Sequence, residues 1–170
     1  MSDTGSRAAD QVDDIVAAWR RERPDLDVSP LEVLSRVSRL ARHLDLARRH
    51  AFERVDLVAW EFDVLSALRR SGEPYQLSAG ELVRQTMVTS GTMTNRIDRL
   101  LARGMVARAP SESDRRTVLI TLTAQGREAV DSALADLVTD EHELLAGLSV
   151  RERDELAAAL RRLLAPFEQD

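Results

Sequence analysis

The sequence contains no cysteine and no lysine, and aromatic residues make up only 4% of its 170 residues. Without cysteine, the chain can form no disulfide, no thiol nucleophile and no thiolate metal site. With so few aromatic rings, a hydrophobic core has to be built mainly from leucine, valine and alanine, which is typical of helical packing. All 24 basic residues are arginine, and we interpret this first as a codon or genome bias.

Long apolar runs are also missing from the sequence. A transmembrane helix needs about 18 or more apolar residues in succession, so none is expected. The first residues are acidic and polar and do not resemble a secretory signal peptide. We therefore expect a bacterial cytoplasmic protein that has no membrane partner and begins with a disordered segment at residues 1–9.

Patterns of catalysis and metal binding are absent as well. The sequence has no Ser-His-Asp arrangement, no glycine-rich phosphate loop and no metallohydrolase spacing. His43 and His50 share a predicted helix, but His142 lies far along the chain, so the three histidines do not form a metal set. We expect that the protein is not an enzyme and uses no metal or cofactor.

The segment from Gln76 to Thr123 predicts two helices joined by a polar turn. Ser78 and Glu81 form a capping box for the first helix, and Thr89 or Ser90 can cap the second. Apolar residues recur at helical spacing in the second helix and are predicted to face the core: Met93, Ile97, Leu100 and Leu101. The opposite face presents hydroxyls, an amide and arginines that can reach DNA bases and phosphates: Ser90, Thr92, Thr94, Asn95, Arg96, Arg99 and Arg103.

A basic hairpin is predicted after this helix pair. Gly104 permits the left-handed turn that ends a helix, and β-type residues flank a polar tip at 110–116. The tip carries two further predicted DNA contacts, Arg115 and Arg116. Helix, turn, helix and basic hairpin together predict a winged helix-turn-helix, which places one helix in the major groove of DNA and a basic loop near its phosphates.

The net charge of the whole chain, -5, does not exclude DNA binding. From Ser78 to Leu122, seven arginines stand against four acidic residues, whereas the residues after Leu122 include five arginines and eleven acidic residues. Phosphate contact requires positive charge at the interface and not over the whole protein. The charge distribution therefore favours DNA contact by the helix-turn-helix segment alone.

Four short motifs follow one another at a specific spacing in the predicted DNA-binding segment. They are S-G-T-M-T-N-R-I-D-R-L from Ser90, G-M-V from Gly104, D-R-R from Asp114 and L-T-x-x-G-R from Leu122. Together they resemble the MarR family of bacterial transcription regulators. The resemblance implies a mainly α-helical homodimer with a small β-hairpin wing. Each chain would form a single domain over residues 10–170, with a winged helix-turn-helix at 58–122 and helical dimerisation regions at 10–57 and 123–170.

An additional amphipathic helix is predicted at residues 10–23, with Trp19 on its apolar face. Because of this helix, the chain resembles the urate-responsive branch of the MarR family, which has an extra N-terminal helix. The resemblance implies a ligand site that is made of four residues: Trp19, Asp63, Arg70 and Arg96.

The chemistry of these four residues fits a small anionic ligand. Arg70 can donate two parallel hydrogen bonds to a planar anion, and Trp19 can stack on the ligand. Asp63 lies about two helical turns before Arg70 and can accept an N–H of a purine. We therefore expect a regulator, with repression as its mode, that binds a palindromic operator in double-stranded DNA as a homodimer and is released by urate or a related purine.

Several alternatives remain open at this point. The same residues could hold a tricarboxylate such as aconitate or citrate, and the wider family also responds to phenolic ligands. Trp19 could be a packing anchor only, and Arg96 could simply contact phosphate. In a different functional class, the chain would be a helical interaction module that binds no DNA. Replacing Arg115 and Arg116 with alanine separates the classes, because only a DNA binder would lose affinity for all DNA sequences.

Overall fold

The computed structural model describes residues 9–110 and 117–168, and helices account for most of them. The helices are α1 (Gln11–Glu22), α2 (Pro30–Glu53), α3 (Ala59–Arg70), α4 (Ala79–Thr86), α5 (Ser90–Ala102), α6 (Ala124–Leu144) and α7 (Val150–Leu164). The strands are β1 (Gln76–Ser78), β2 (Val106–Pro110) and β3 (Val118–Leu122). The predicted mainly α-helical fold with a winged helix-turn-helix is confirmed. Within the described ranges, no helix has both the length and the apolar character that crossing a bilayer requires.

The helices begin at the capping residues that the sequence contains. The Ser78 hydroxyl accepts the N–H of Glu81, and the Glu81 carboxylate accepts the N–H of Ser78 at 2.7 Å, so the predicted capping box is present. Hydrogen bonds from the hydroxyl and then the backbone N–H of Ser78 hold the pKa of Glu81 below its ordinary value. Hydroxyl side chains also cap three other helices: Thr89 caps α5, Thr123 caps α6 and Ser149 caps α7.

The predicted hairpin is present, and a third strand extends it. β2 and β3 pair in antiparallel fashion, and β1 pairs with the other edge of β3, with Leu77 opposite Ile120. β1 was not predicted, because three residues are too few to show the alternation that indicates a strand. Pro110 lies in β2 and not in the tip; β2 is an edge strand, where the missing N–H of proline is tolerated.

The chain divides into two compact units. The first unit ends at Ala47, and the second begins at Arg48 and contains the whole winged helix-turn-helix. A single domain over residues 10–170 stays a prediction. Except for Ala9, the segment predicted to be disordered lies outside the described residues.

The first unit is held together by a small apolar cluster and by ion pairs. Its buried apolar residues are Val12, Val16 and Val28. The guanidinium of Arg36 on α2 lies 2.8 Å from the carboxylate of Asp10 and 2.7 Å from that of Asp13. The hydrogen bond from Arg36 lowers the pKa of Asp10, and the backbone N–H of Asp10 together with Arg36 lowers the pKa of Asp13. These exposed ion pairs connect the first turn of α1 to α2.

The second unit is built around α3, whose inner residues Val64, Leu65 and Leu68 have no exposed surface. They share one apolar core with residues of α4, α5, β3 and α6. At the start of α6 the backbones approach so closely that a Cβ on Gly126 would lie 2.1 Å from the carbonyl oxygen of Met105. Glycine is therefore required at this position, and the contact ties α6 to the segment between α5 and β2.

Candidate nucleic-acid interface

One side of α5 is fixed in the core, and the other is open to solvent. Met93, Ile97 and Leu100 are each no more than 1% exposed. At the start of the helix, the Thr89 hydroxyl accepts the N–H of Thr92 at 3.3 Å. The exposed residues of the outer side are Ser90, Thr92, Thr94, Asn95 and Arg99. A helix with this division can enter a major groove without giving up its own packing.

Two arginines of α5 lie over one aromatic ring. The guanidinium carbons of Arg96 and Arg99 are 5.5 and 5.9 Å from the ring centroid of Trp60, in the first turn of α3. Both distances are within the range of a cation–π interaction. Trp60 also packs, partly buried, against the core. Its ring also orients two arginines of the predicted DNA-binding face.

Arg103, directly after the last residue of α5, is hydrogen-bonded inside the chain. Its Nη1 donates to Oε2 of Glu61 at 2.6 Å. Its Nη2 donates to the carbonyl oxygen of Asp56 at 2.6 Å and to Oδ2 of the same residue at 2.7 Å. The DNA contact predicted for Arg103 therefore competes with three hydrogen bonds to the start of α3.

The strands of the wing are connected to α5 by a further ion pair. Nη2 of Arg108 on β2 lies 3.5 Å from Oδ1 of Asp98 on the outer side of α5. The two arginines that were predicted to contact DNA from the tip, Arg115 and Arg116, lie outside the described residues. Their role stays a prediction.

Three of the four predicted ligand residues belong to the second unit, and Trp19 belongs to the first. Asp63 and Arg70 are exposed on α3. Among the described residues, neither side chain has a hydrogen-bond or ion-pair partner. Arg96 lies over Trp60, which precedes Asp63 by three residues and so shares its side of α3. Trp19 on α1 is 49% exposed.

Glu61 was not predicted as a functional residue. It is 4% exposed, and its Oε2 also accepts the N–H of Val58 at 3.1 Å, in the manner of a capping acid at the start of α3. An acidic residue in the first turn of a helix was a usable signal for this local role. Its pairing with Arg103, 42 residues further along the chain, was not predictable, because sequence spacing does not identify tertiary partners.

A helix that presents a polar face, lies on a helical core and is followed by an antiparallel hairpin defines a winged-helix DNA-binding protein. Comparison with known proteins identifies the family: the chain belongs to the MarR family of transcriptional regulators. The model of the MarR family matches residues 56–117. The HTH-type transcriptional regulator PecS of Dickeya dadantii is 40% identical over 153 residues, which are 90% of this chain and 92% of PecS.

Solved structures of MarR-family proteins have the same fold. A cysteine-to-serine mutant of MarR from E. coli complexed with operator DNA has a TM-score of 0.68 and 26% sequence identity, over 82% of this chain and 99% of that chain. A MarR family transcriptional regulator from Streptomyces coelicolor has a TM-score of 0.68 and 26% identity, over 85% of this chain and 99% of that chain. The protein is therefore a DNA-binding transcriptional regulator, and the predicted family is confirmed.

Proposed function

We propose that the protein is a repressor that binds a palindromic operator as a homodimer, with α5 in the major groove, and leaves the operator when it binds a small anionic metabolite. The observation that carries this proposal is the division of α5 into a buried apolar side and an exposed polar side that bears arginine. The proposed DNA contacts on α5 are Ser90, Thr92, Thr94, Asn95, Arg96 and Arg99. On the wing they are Arg115 and Arg116. The solved complex of E. coli MarR with operator DNA supports the proposed binding to an operator.

Gel shifts with the DNA upstream of the protein's own gene test the DNA contacts. Arg99→Ala should weaken binding and reduce the slope of log affinity against log salt concentration by about two, because each protomer of the proposed homodimer loses one phosphate contact. Arg151→Ala is the matched control, since Arg151 on α7 has 88% of its side chain exposed. If Arg99→Ala and the Arg115→Ala, Arg116→Ala double variant both bind DNA as tightly as the wild type, these arginines do not contact DNA and the proposed mode of binding is wrong.

The proposed homodimer is supported by apolar side chains that the chain leaves exposed. Val33, Val37 and Leu40 of α2 are 54, 39 and 48% exposed and recur at helical spacing. α7 has no buried residue; Leu164 at its end is 52% exposed, and Phe167, three residues after the helix, is 83% exposed. A second copy of the chain would cover these helix faces. The substitutions Leu164→Glu and Phe167→Glu together should then give a monomer in sedimentation experiments. This monomer should bind a palindrome, whose half-sites lie about 10 base pairs apart, more weakly than the wild type does.

For the ligand, we propose urate or a related purine, bound on the second unit by Asp63, Arg70 and Arg96; the role of Trp19, in the first unit, stays a prediction. Within residues 9–110 and 117–168, Asp63 and Arg70 have no charged partner although they lie on one helix, which supports an anionic ligand that also has N–H groups. A ligand that draws Arg96 away from Trp60 would move α5. Such a ligand releases DNA only if it binds the DNA-free form more tightly than the DNA-bound form.

Titration of the protein–DNA complex with urate, xanthine, trans-aconitate, citrate and salicylate tests the ligand. We expect release by a purine, loss of this response in Arg70→Ala and retention of it in Arg151→Ala. Release by the carboxylates alone would keep the site but change the ligand to a tricarboxylate. Release by salicylate alone would favour a phenolic ligand. A complex that ignores all five compounds would contradict the ligand proposal and leave the DNA-binding proposal intact.

A further inference from the structure

We infer that Arg103 is a positioning residue: together with Glu61 and Asp56 it locks the C-terminal end of α5 to the start of α3, and it sets the orientation of α5 without contacting DNA. Arg103, Glu61 and Asp56 form the α5 clamp. The inference rests on hydrogen-bond geometry, on the burial of Glu61 and on the contrast between Arg103 and Arg99.

Three hydrogen bonds to two successive parts of the chain hold the guanidinium of Arg103. One goes to Glu61 within the first turn of α3, and two go to Asp56 in the turn before α3. Because the backbone carbonyl of Asp56 is one of the acceptors, the clamp engages the main chain as well as side chains. The end of α5 therefore follows the position of the α3 N-terminus.

The burial of Glu61 makes this pairing costly to break. The side chain of Glu61 is 5% exposed, whereas that of Asp56 is 98% exposed. A buried carboxylate that loses its cation becomes an unpaired charge in a poorly solvated place. A phosphate that drew Arg103 outward would have to leave Glu61 in that state. Glu61 thus keeps Arg103 inside the protein.

Arg99 lies one helical turn before Arg103 and has a different environment. It is exposed, and its described contact is the stacking on Trp60, which leaves its N–H groups directed to no acidic side chain of the described residues. Arg103 has 30% of its side chain exposed and is bound to two carboxylates. The two arginines therefore divide two tasks, with Arg99 placed to contact DNA and Arg103 placed to hold the helix.

Loss of the clamp should change sequence discrimination more than general affinity for DNA. A shifted α5 misaligns its contacts with base edges, which carry the sequence information, while the phosphate-binding arginines keep their charges. Affinity for a preferred sequence should fall, and affinity for other DNA and its salt dependence should stay. A role of Arg103 in stability alone would not change this ratio in the folded protein.

The variant Glu61→Gln gives opposite results for the two possible roles of Arg103. The probes are a duplex that the wild-type protein enriches from a random library and a shuffled duplex of the same length. If the clamp positions α5, Glu61→Gln should bind the enriched duplex about tenfold more weakly, the usual effect of losing a charged hydrogen bond, and should bind the shuffled duplex like the wild type. If Arg103 contacts DNA, removing the competing acid should leave both affinities unchanged or raise them, and the inference would be wrong. Asp56→Asn is the matched control at the exposed partner, where a smaller effect is expected.

Amide hydrogen exchange of the DNA-free protein supplies a second, independent readout. Glu61→Gln and Arg103→Met should accelerate exchange in the last turn of α5 but not in α7, and Arg103→Lys, which keeps the charge, should restore part of the protection. Wild-type exchange rates in the folded variants would overturn the inference. The DNA experiment rests on the proposed operator binding, so a wild-type protein that enriches no sequence would count against that proposal. The hydrogen-exchange rates test the α5 clamp whether or not the protein enriches a DNA sequence.

Discussion

The two units of the chain are stabilised in different ways. Among the described residues of the second unit, twenty buried ones form one apolar cluster, whereas the described part of the first unit has three buried valines and surface ion pairs such as those of Arg36. The stabilisation from apolar burial depends little on pH or salt. Exposed ion pairs are weakened by acid, which protonates their carboxylates, and by salt, which screens their charges. The unit that presents α5 to DNA should therefore stay rigid under conditions that loosen the unit that carries Trp19.

Removing apolar volume from the second unit should have the largest effect. Leu65→Ala deletes most of a side chain with no exposed surface, and such deletions lower the free energy of unfolding by about 3 kcal/mol or more. Urea denaturation followed by circular dichroism measures the change. Leu26→Ala is the matched control, because Leu26 is 49% exposed in the first unit. Equal shifts in both variants would contradict the assignment of the stabilising core to the second unit.

Adding a single methyl group at a closely packed glycine of the second unit should be the next most destabilising change. In Gly126→Ala the new Cβ would collide with the carbonyl oxygen of Met105, 2.1 Å away, so the start of α6 has to move. Overpacking of this kind costs about 2 kcal/mol. Gly147→Ala is the control, since a Cβ on Gly147 would meet no atom within 4 Å. A thermal midpoint that is unchanged in Gly126→Ala would show that the backbones can separate without loss.

The features that local sequence determines were the predictable ones. The capping box of Ser78 and the inward spacing of Met93 and Ile97 depend on residues a few positions apart, so the sequence predicts α4 and α5 directly. Pairing between distant segments leaves no such pattern. The third strand and the partners of Arg103 depend on how α3, α5 and β3 pack, and for that reason they were found only in the structure.

The proposed ligand residues were not fully predictable either. The resemblance to the MarR family predicted Asp63, Arg70 and Arg96 by position, but it did not reveal that Arg96 lies over Trp60 at 5.5 Å. An aromatic residue with helical spacing in a sequence is usually a core residue, and Trp60 partly is one. Its second role, stacking with two arginines of α5, depends on the packing of α5 against α3.

Loss of a polar helix cap should have a moderate effect in the second unit. Ser78→Ala removes the hydroxyl that accepts the N–H of Glu81, and a lost cap costs about 1 kcal/mol. Ser149→Ala removes a cap of the same geometry from α7, which has no buried residue in the chain. Thermal unfolding should therefore shift more in Ser78→Ala than in Ser149→Ala. A larger shift in Ser149→Ala would mean that α7 contributes more to stability than its burial within one chain accounts for.

The smallest expected effect is the response of the first unit to acid. The pKa values of Asp10 and Asp13 are lowered in the folded protein, so their contribution to stability is fully present above the ordinary aspartate pKa of about 3.9 and is lost as the pH falls below it. Both carboxylates are exposed, which keeps the contribution small. Trp19 lies on the same helix, and its fluorescence in a Trp60→Phe background reports on this unit alone.

We expect the Trp19 signal to change as the pH falls from about 5 to about 3, before the circular dichroism of the second unit changes. Arg36→Met should reduce this early step, because only the backbone hydrogen bonds then remain to lower the pKa values of Asp10 and Asp13. High salt should reduce the step in the wild type for the same reason. If Arg36→Met and the wild type respond to acid identically, the ion pairs of Arg36 do not hold α1 to α2.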